Sequence, residues 1–241
     1  LTIFRTSVRL PRRQQHFHQE YRSLTTGPTS STLERIGIDE SGKGDYFGPL
    51  VIAAVFVDQT TQRELALMQV RDSKRISDGR ILEMAPDIRQ ICPHSLIAIG
   101  PQKYNELYAK IKNLNRLLAW GHARALENVL QQVECGLAIS DQFGDEQLIL
   151  NALQEKGKQI TLEQRPKAES DLAVAAASIV ARAEFLIRLR RLSEEVGTTL
   201  PKGASATVEL AAKMVVKKHG QERLATVAKL HFKTTQAVLA S

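Results

Sequence analysis

The sequence is short of cysteine and of long apolar runs, and each shortage excludes a class of protein. Cys92 and Cys135 are the only cysteines and stand at no metal-ligand spacing. That excludes a disulfide framework and a cysteine-rich zinc centre, and makes a reducing, cytoplasmic setting the expectation. The longest apolar runs, such as LVIAAVFV at 50–57, fall far short of the roughly 20 residues a helical bilayer span requires, so a soluble chain with no membrane partner is expected. No Ser/His/Asp or Cys/His set has a spacing that argues for covalent catalysis. Internal repeats and low-complexity blocks are absent as well.

What is present suits one α/β domain: 241 residues, 43% hydrophobic and 24% charged. The formal charge of +7 is uneven along the chain. Residues 1–33 set five arginines against Glu20, residues 34–181 are slightly acidic, and residues 182–241 are strongly basic. Basic ends of this kind serve a polyanion or form plain solvated surface, and charge alone does not separate the two. Residues 1–33 show neither helical nor strand periodicity and are expected to be a basic, flexible tail ahead of a domain at 34–241. Their arginine-rich, acid-poor character also resembles a transit peptide.

Past residue 33, short β-type runs recur: ERIGID (34–39), LVIAAVFV (50–57), SLIAIG (95–100), LAIS (137–140) and QITLEQ (159–164). The first three lie close enough for an antiparallel meander, and the last two are reached through long helical segments, which predicts parallel crossovers. The expected fold is therefore α/β, a five-stranded mixed sheet flanked by helices, with a helical C-terminal part. A helix is predicted over 113–133, with Asn113 as N-cap and Leu114, Leu117, Leu118 and Leu126 on its apolar face. Another is predicted over 172–192. Its small residues, AVAAASIVA, would let it pack close to the sheet, and Ser170 or Asp171 suits its N-terminus.

Residues 37–49, GIDESGKGDYFGP, hold the chemistry. Gly37, Gly42 and Lys43 imitate a phosphate-binding P-loop, but Gly44 stands where that loop needs a hydroxyl for magnesium. Two carboxylates lie inside the supposed loop, and Pro49 introduces a strand rather than a helix, so the phosphate-cradle reading fails. Asp39 and Glu40 at a strand end are instead hard oxygen ligands for Mg²⁺ or Mn²⁺. Asp141, at the end of LAIS, is placed to approach them from an adjacent strand, and Asp145, Glu169 or Asp171 could complete the set. Carboxylate cages of this kind serve phosphoryl-transfer nucleases. Of the neighbours, Asp45 is expected as a loop-stabilising acceptor, Tyr46 and Phe47 as packing residues, and His122 as structural. Ser73 and Lys74 are candidates for a phosphate-binding turn, Lys43 and Lys202 for phosphate contact, and His231 for either a substrate or a structural role.

The stretch DESGKGDYFGP is similar to the signature of type 2 ribonucleases H, and to ribonuclease HIII more than to ribonuclease HII. DSK (72–74), YNELY (104–108), NLNRLLAWGHA (113–123), DQF (141–143), AVAAASIVAR (173–182), LPKGAS (200–205) and AKLHFKTT (228–235) resemble ribonuclease HIII segments in the same order. The resemblance implies a ribonuclease H-like fold and endonucleolytic cleavage of RNA in RNA–DNA hybrids, with two metal ions during catalysis. It assigns metal binding to Asp39, Glu40 and Asp141 and matches Glu169 best as the fourth acid. It sets the backbone of Gly42, Lys43 and Gly44 against the ribose 2′-hydroxyl, which DNA lacks. A hybrid-bound monomer is the expected working state. A substrate-binding domain resembling the TATA-binding protein commonly precedes the family's catalytic domain, and 33 residues are too few for it. Arg5, Arg9, Arg12, Arg13 and Arg22 are then the candidates for added phosphate contact.

Overall fold

The computed structural model describes residues 34–142, 144, 147–153 and 157–240. The tail at 1–33 with its arginines, and the candidate acid Asp145, lie outside them.

Five strands form one sheet in the order β3-β2-β1-β4-β5. Strand β1 (Arg35–Ser41) pairs antiparallel with β2 (Leu50–Val57), which pairs antiparallel with β3 (His94–Ile99). On its other side β1 runs parallel to β4 (Leu137–Asp141), and β4 parallel to β5 (Thr161–Arg165). The meander and the two crossovers thus match the expectation. The first strand, however, continues two residues beyond ERIGID, because the antiparallel ladder pairs Glu40 with Ile52 and Ser41 with Val51.

Period-two alternation divides β2 between two cores. Val51, Ala53, Val55 and Val57 join one apolar cluster, and Leu50, Ile52, Ala54 and Phe56 join the other. Since both faces are buried, β2 reads as an unbroken apolar run. Between the strands lie α1 (Gln59–Leu67), α2 (Asp78–Ile91) and α3 (Pro101–Ile111). The second core is closed by α4 (Leu114–Leu130), which supplies Leu117, Leu118 and Leu126; the Asn113 side chain accepts from Arg116 N at 3.1 Å and caps it. After the short α5 (Gln147–Ala152) comes α6 (Leu172–Val196), which covers the first core. The C-terminal part is helical, with α7 (Ala206–His219), α8 (Leu224–Val227) and α9 (Lys233–Leu239).

Helix α6 decides where the site lies. Its first ten residues are alanine, valine, isoleucine, leucine and one serine, and residues 173–181 are buried throughout. Small side chains bring its backbone so near β1 that a Cβ on Gly37 would lie 2.0 Å from the carbonyl carbon of Ala173. Only glycine fits there. Asp171 sets the start of the helix, accepting from Ala173 N at 2.8 Å and from Arg35 Nε at 2.7 Å. Helix and strand are thereby tied end to end.

Gly37→Ala must push α6 off the sheet. The expected loss is about 3 kcal/mol or more of unfolding free energy, the upper range for overpacked cores, read from urea melts. A change under roughly 1 kcal/mol would mean that the contact yields easily.

Candidate active site

The parallel register pairs Ile36 with Ala138, Gly37 with Ile139 and Ile38 with Ser140. One step further, Asp39 and Asp141 stand side by side at the carboxyl ends of the two central strands. Alternation then sends Asp39 and Glu40 to opposite faces. Asp39 meets Ser178 of α6, and Glu40 Oε2 lies 3.0 Å from His122 Nε2 of α4. Lys167 adopts φ +58°, in the left-handed region, and the turn after it carries Glu169. All four carboxylates, Asp39, Glu40, Asp141 and Glu169, line one cleft of about 500 Å³. Asp171 does not line it, being held in its cap and its pair with Arg35.

The charges are unequally compensated. Burial, then the neighbouring Glu40 and Asp141 carboxylates, push the Asp39 pKa up to about 7 against the pull of Ser178 and the Glu40 backbone N–H, which donates to it at 2.8 Å. Burial also acts on Glu40, but His122 and the Lys43 ammonium, 3.3 Å from Oε1, outweigh it and hold that carboxyl below its ordinary value. Glu169 is held low by its own backbone N–H and by Lys74, whose Nζ lies 3.1 Å away. Asp141 accepts from Ala168 N at 3.3 Å.

Opposite the acids stand the groups suited to a polyanion. Gly42, Lys43 and Gly44 line the cleft, and Gly44 is exposed with open space around its Cα. Gly42 has φ +88°, and a Cβ there would strike Pro49 O at 2.2 Å, so the loop doubles back on itself. Asp72 caps the turn at Ser73–Arg75 by accepting from Lys74 N at 2.9 Å. Ser73 lines the cleft with its hydroxyl 2.7 Å from that of Ser178, while the Lys74 ammonium is largely exposed. Arg182 reaches the Ser73 carbonyl and Asp78, and Lys202 pairs with the same Asp78.

Every described candidate in the signature loop, the DSK turn and LPKGAS therefore lines the cleft. Asp45 accepts from Gly203 N at 2.6 Å, and Tyr46 and Phe47 are buried, as expected of a loop acceptor and packing residues. His231 stacks on Tyr108, ring centroids 4.3 Å apart, and does not line the cleft. The sequence reading missed His122, Ser178 and Arg182 as groups acting on the site. Only the polarity of His122 on an apolar helix face hinted at a partner.

The donor set fits a hard divalent cation: carboxylate oxygens only, with a central acid that burial, and then its acidic neighbours, drive toward protonation. Among the described residues no three Asp, Glu, His or Cys side chains already converge as an ion cage.

Fold and cleft together define a phosphodiester hydrolase of ribonuclease H-like architecture. The profile described as Ribonuclease HII matches residues 36–235. Ribonuclease HIII of Protochlamydia amoebophila is 49% identical over 204 residues, covering 85% of this chain and 68% of that protein. Ribonuclease HIII of Chlamydia pneumoniae is 47% identical over 203 residues, 83% of this chain and 68% of its own length. Among solved structures, Bst-RNase HIII in complex with Mn²⁺ superposes with a TM-score of 0.81 at 37% identity, covering 88% of this chain and 71% of that one. The chain belongs to the ribonuclease HII family, and its similarity is to ribonucleases HIII. It is a metal-dependent endoribonuclease that cleaves the RNA of RNA–DNA hybrids.

The raised Asp39 pKa carries a sign. The folded value of about 7 lies above the ordinary 3.8, so without metal the ionised carboxylate costs stability that grows as pH rises from about 4 and is complete above 7. In chelator at pH 8, Asp39→Asn should therefore be more stable than the wild type by on the order of a few kcal/mol, and the gap should close near pH 4. Urea melts across that range check it; a gap independent of pH would contradict the electrostatic account.

Proposed function

We propose that Asp39, Glu40, Asp141 and Glu169 are the catalytic carboxylates. The observation that carries this is their gathering in one cleft at the carboxyl edge of the sheet, faced by the Gly42–Gly44 backbone. Asp39, Glu40 and Asp141 hold the metal, and Glu169 acts from the far wall. Two Mg²⁺ or Mn²⁺ ions, when bound, supply an activated water and neutralise charge on the leaving oxygen. His122 and Lys43 keep Glu40 ionised and oriented. Lys43, Lys74 and Lys202 bind phosphates, with Ser73 holding the turn that carries Lys74. The backbone of Gly42–Gly44 tests for the 2′-hydroxyl at the scissile nucleotide. Hydrolysis leaves 5′-phosphate and 3′-hydroxyl ends, and the enzyme works as a cytoplasmic monomer. Among the described residues no helix is long and apolar enough to cross a membrane.

One alternative deserves a test because the matching profile is that of ribonuclease HII: incision at a single ribonucleotide embedded in DNA. A uniform RNA–DNA hybrid and a DNA duplex with one ribonucleotide, each with Mg²⁺, Mn²⁺ or chelator, separate the two. The hybrid should be cut far faster, and only with metal. Equal or faster incision at the single ribonucleotide would move the assignment to the alternative.

The fourth acid is tested by paired variants. Glu169→Gln should lower turnover about a hundredfold, the scale for removing one catalytic electrostatic group. Asp171→Asn should retain turnover and cost about 1–2 kcal/mol of stability through its weakened bond to Arg35. Wild-type turnover in Glu169→Gln at saturating metal would remove Glu169 from the set.

A further inference from the structure

Lys229 is fully buried, yet among the described residues no carboxylate forms an ion pair with it. Burying an ammonium in this way is costly unless its donors are all used. Here they are spent on main-chain oxygens. Nζ donates to the carbonyls of Asp45 at 2.8 Å and Gly48 at 2.7 Å, with Phe47 O at 3.4 Å, while the backbone N–H of Lys229 donates to Tyr46 O at 2.8 Å. The carbonyls of four consecutive residues, 45 to 48, thus all end on one residue. A methionine or leucine would fill the volume without the desolvation cost, and could satisfy none of the three carbonyls facing the ammonium.

The loop's other polar groups are held by the same C-terminal segments. Tyr46 N donates to Gly203 O and Gly48 N to Val227 O, both at 2.9 Å, and the Tyr46 hydroxyl lies 3.1 Å from that of Thr235. Ahead of the clamped Asp45, the cleft side of the loop is the short stretch Gly42–Gly44. It is joined to the clamped residues by Asp45 N donating to Gly42 O at 3.4 Å and by the contact of Gly42 with the Pro49 carbonyl. With 45–49 immobilised, the height of the Gly42–Gly44 backbone above the carboxylates has little freedom left. Burial pushes the Lys229 pKa down to about 7 while Asp45 pulls it the other way, which marks how strongly the site departs from a solvated lysine.

We propose that Lys229 is a positioning residue for sugar discrimination: by collecting the carbonyls of residues 45–48 from behind, it holds Gly42–Gly44 where their backbone meets the ribose 2′-hydroxyl. This rests on the reading of that backbone given above. Lys229 does not line the cleft, and its influence passes through the loop.

The experiment compares the full chain with Lys229→Met, which removes the donors, and Lys229→Gln, which keeps two. Single-turnover cleavage at saturating metal is measured on an RNA–DNA hybrid and on the same hybrid carrying one 2′-deoxy nucleotide at the scissile position, with folding checked by circular dichroism. Lys229→Met should cut the ribonucleotide substrate about 10- to 100-fold more slowly, the scale of small displacements of a positioned group. Its already slow deoxy cleavage should fall less, so the ribo-to-deoxy ratio contracts, and Lys229→Gln should lie between. An unchanged ratio, or equal loss on both substrates, overturns the proposal. Failure of both variants to fold also overturns it, since Lys229 would then serve the whole fold rather than the loop. A wild-type ratio near one would instead strike the reading of Gly42–Gly44, and is told apart by needing no variant.

Discussion

The contact between α6 and β1 is the constraint on which the site depends. Because Gly37 has no side chain and α6 begins with small residues, helix and strand backbones meet almost without intervening atoms. That closeness puts Ser178 beside Asp39 and Arg182 against the turn that carries Lys74. It also fixes the path into the helix, so that Glu169 in the preceding turn looks into the cleft while Asp171, two residues on, is consumed as cap and ion-pair partner. Two acids almost adjacent in sequence thereby receive different work.

The second organising fact is a surplus of negative charge at one sheet edge. Parallel pairing of β1 with β4 aligns the strand ends that carry Asp39 and Asp141. Glu40 and Glu169 each have an ammonium within 3.3 Å, whereas burial and its acidic neighbours leave Asp39 favouring the proton. A site in this condition gains from any hard cation that reaches it, and the surrounding lysines keep it compatible with a phosphate backbone. Rigidity comes from behind: His122 holds Glu40, and Lys229 holds the loop that follows it.

How much of this was legible depended on the range of the interaction. The Asn113 cap and the LVIAAVFV strand were readable because each rests on periodicity or on neighbours within four residues, and the antiparallel half of the sheet because its three strands follow one another along the chain. The acids Asp39, Glu40 and Asp141 could be grouped because each lies at or near the end of a β-type run, and strand ends of a mixed sheet meet along an edge. Local pattern left Asp145, Glu169 and Asp171 open as the fourth acid, since all three stand in polar chain, and the family resemblance alone favoured Glu169.

Element types, the acid-and-glycine loop between β1 and β2, and the family signature were already legible along the chain, because these are carried by residues near one another. Tertiary structure alone decided that His122 faces Glu40 across 82 residues and that Lys229 reaches Asp45 across 184. A lysine in a basic C-terminal region carries no local mark of burial, and a histidine on an apolar helix face hints at a partner without naming it. Their roles follow from which face of the sheet, and which end of it, the distant chain happens to cover.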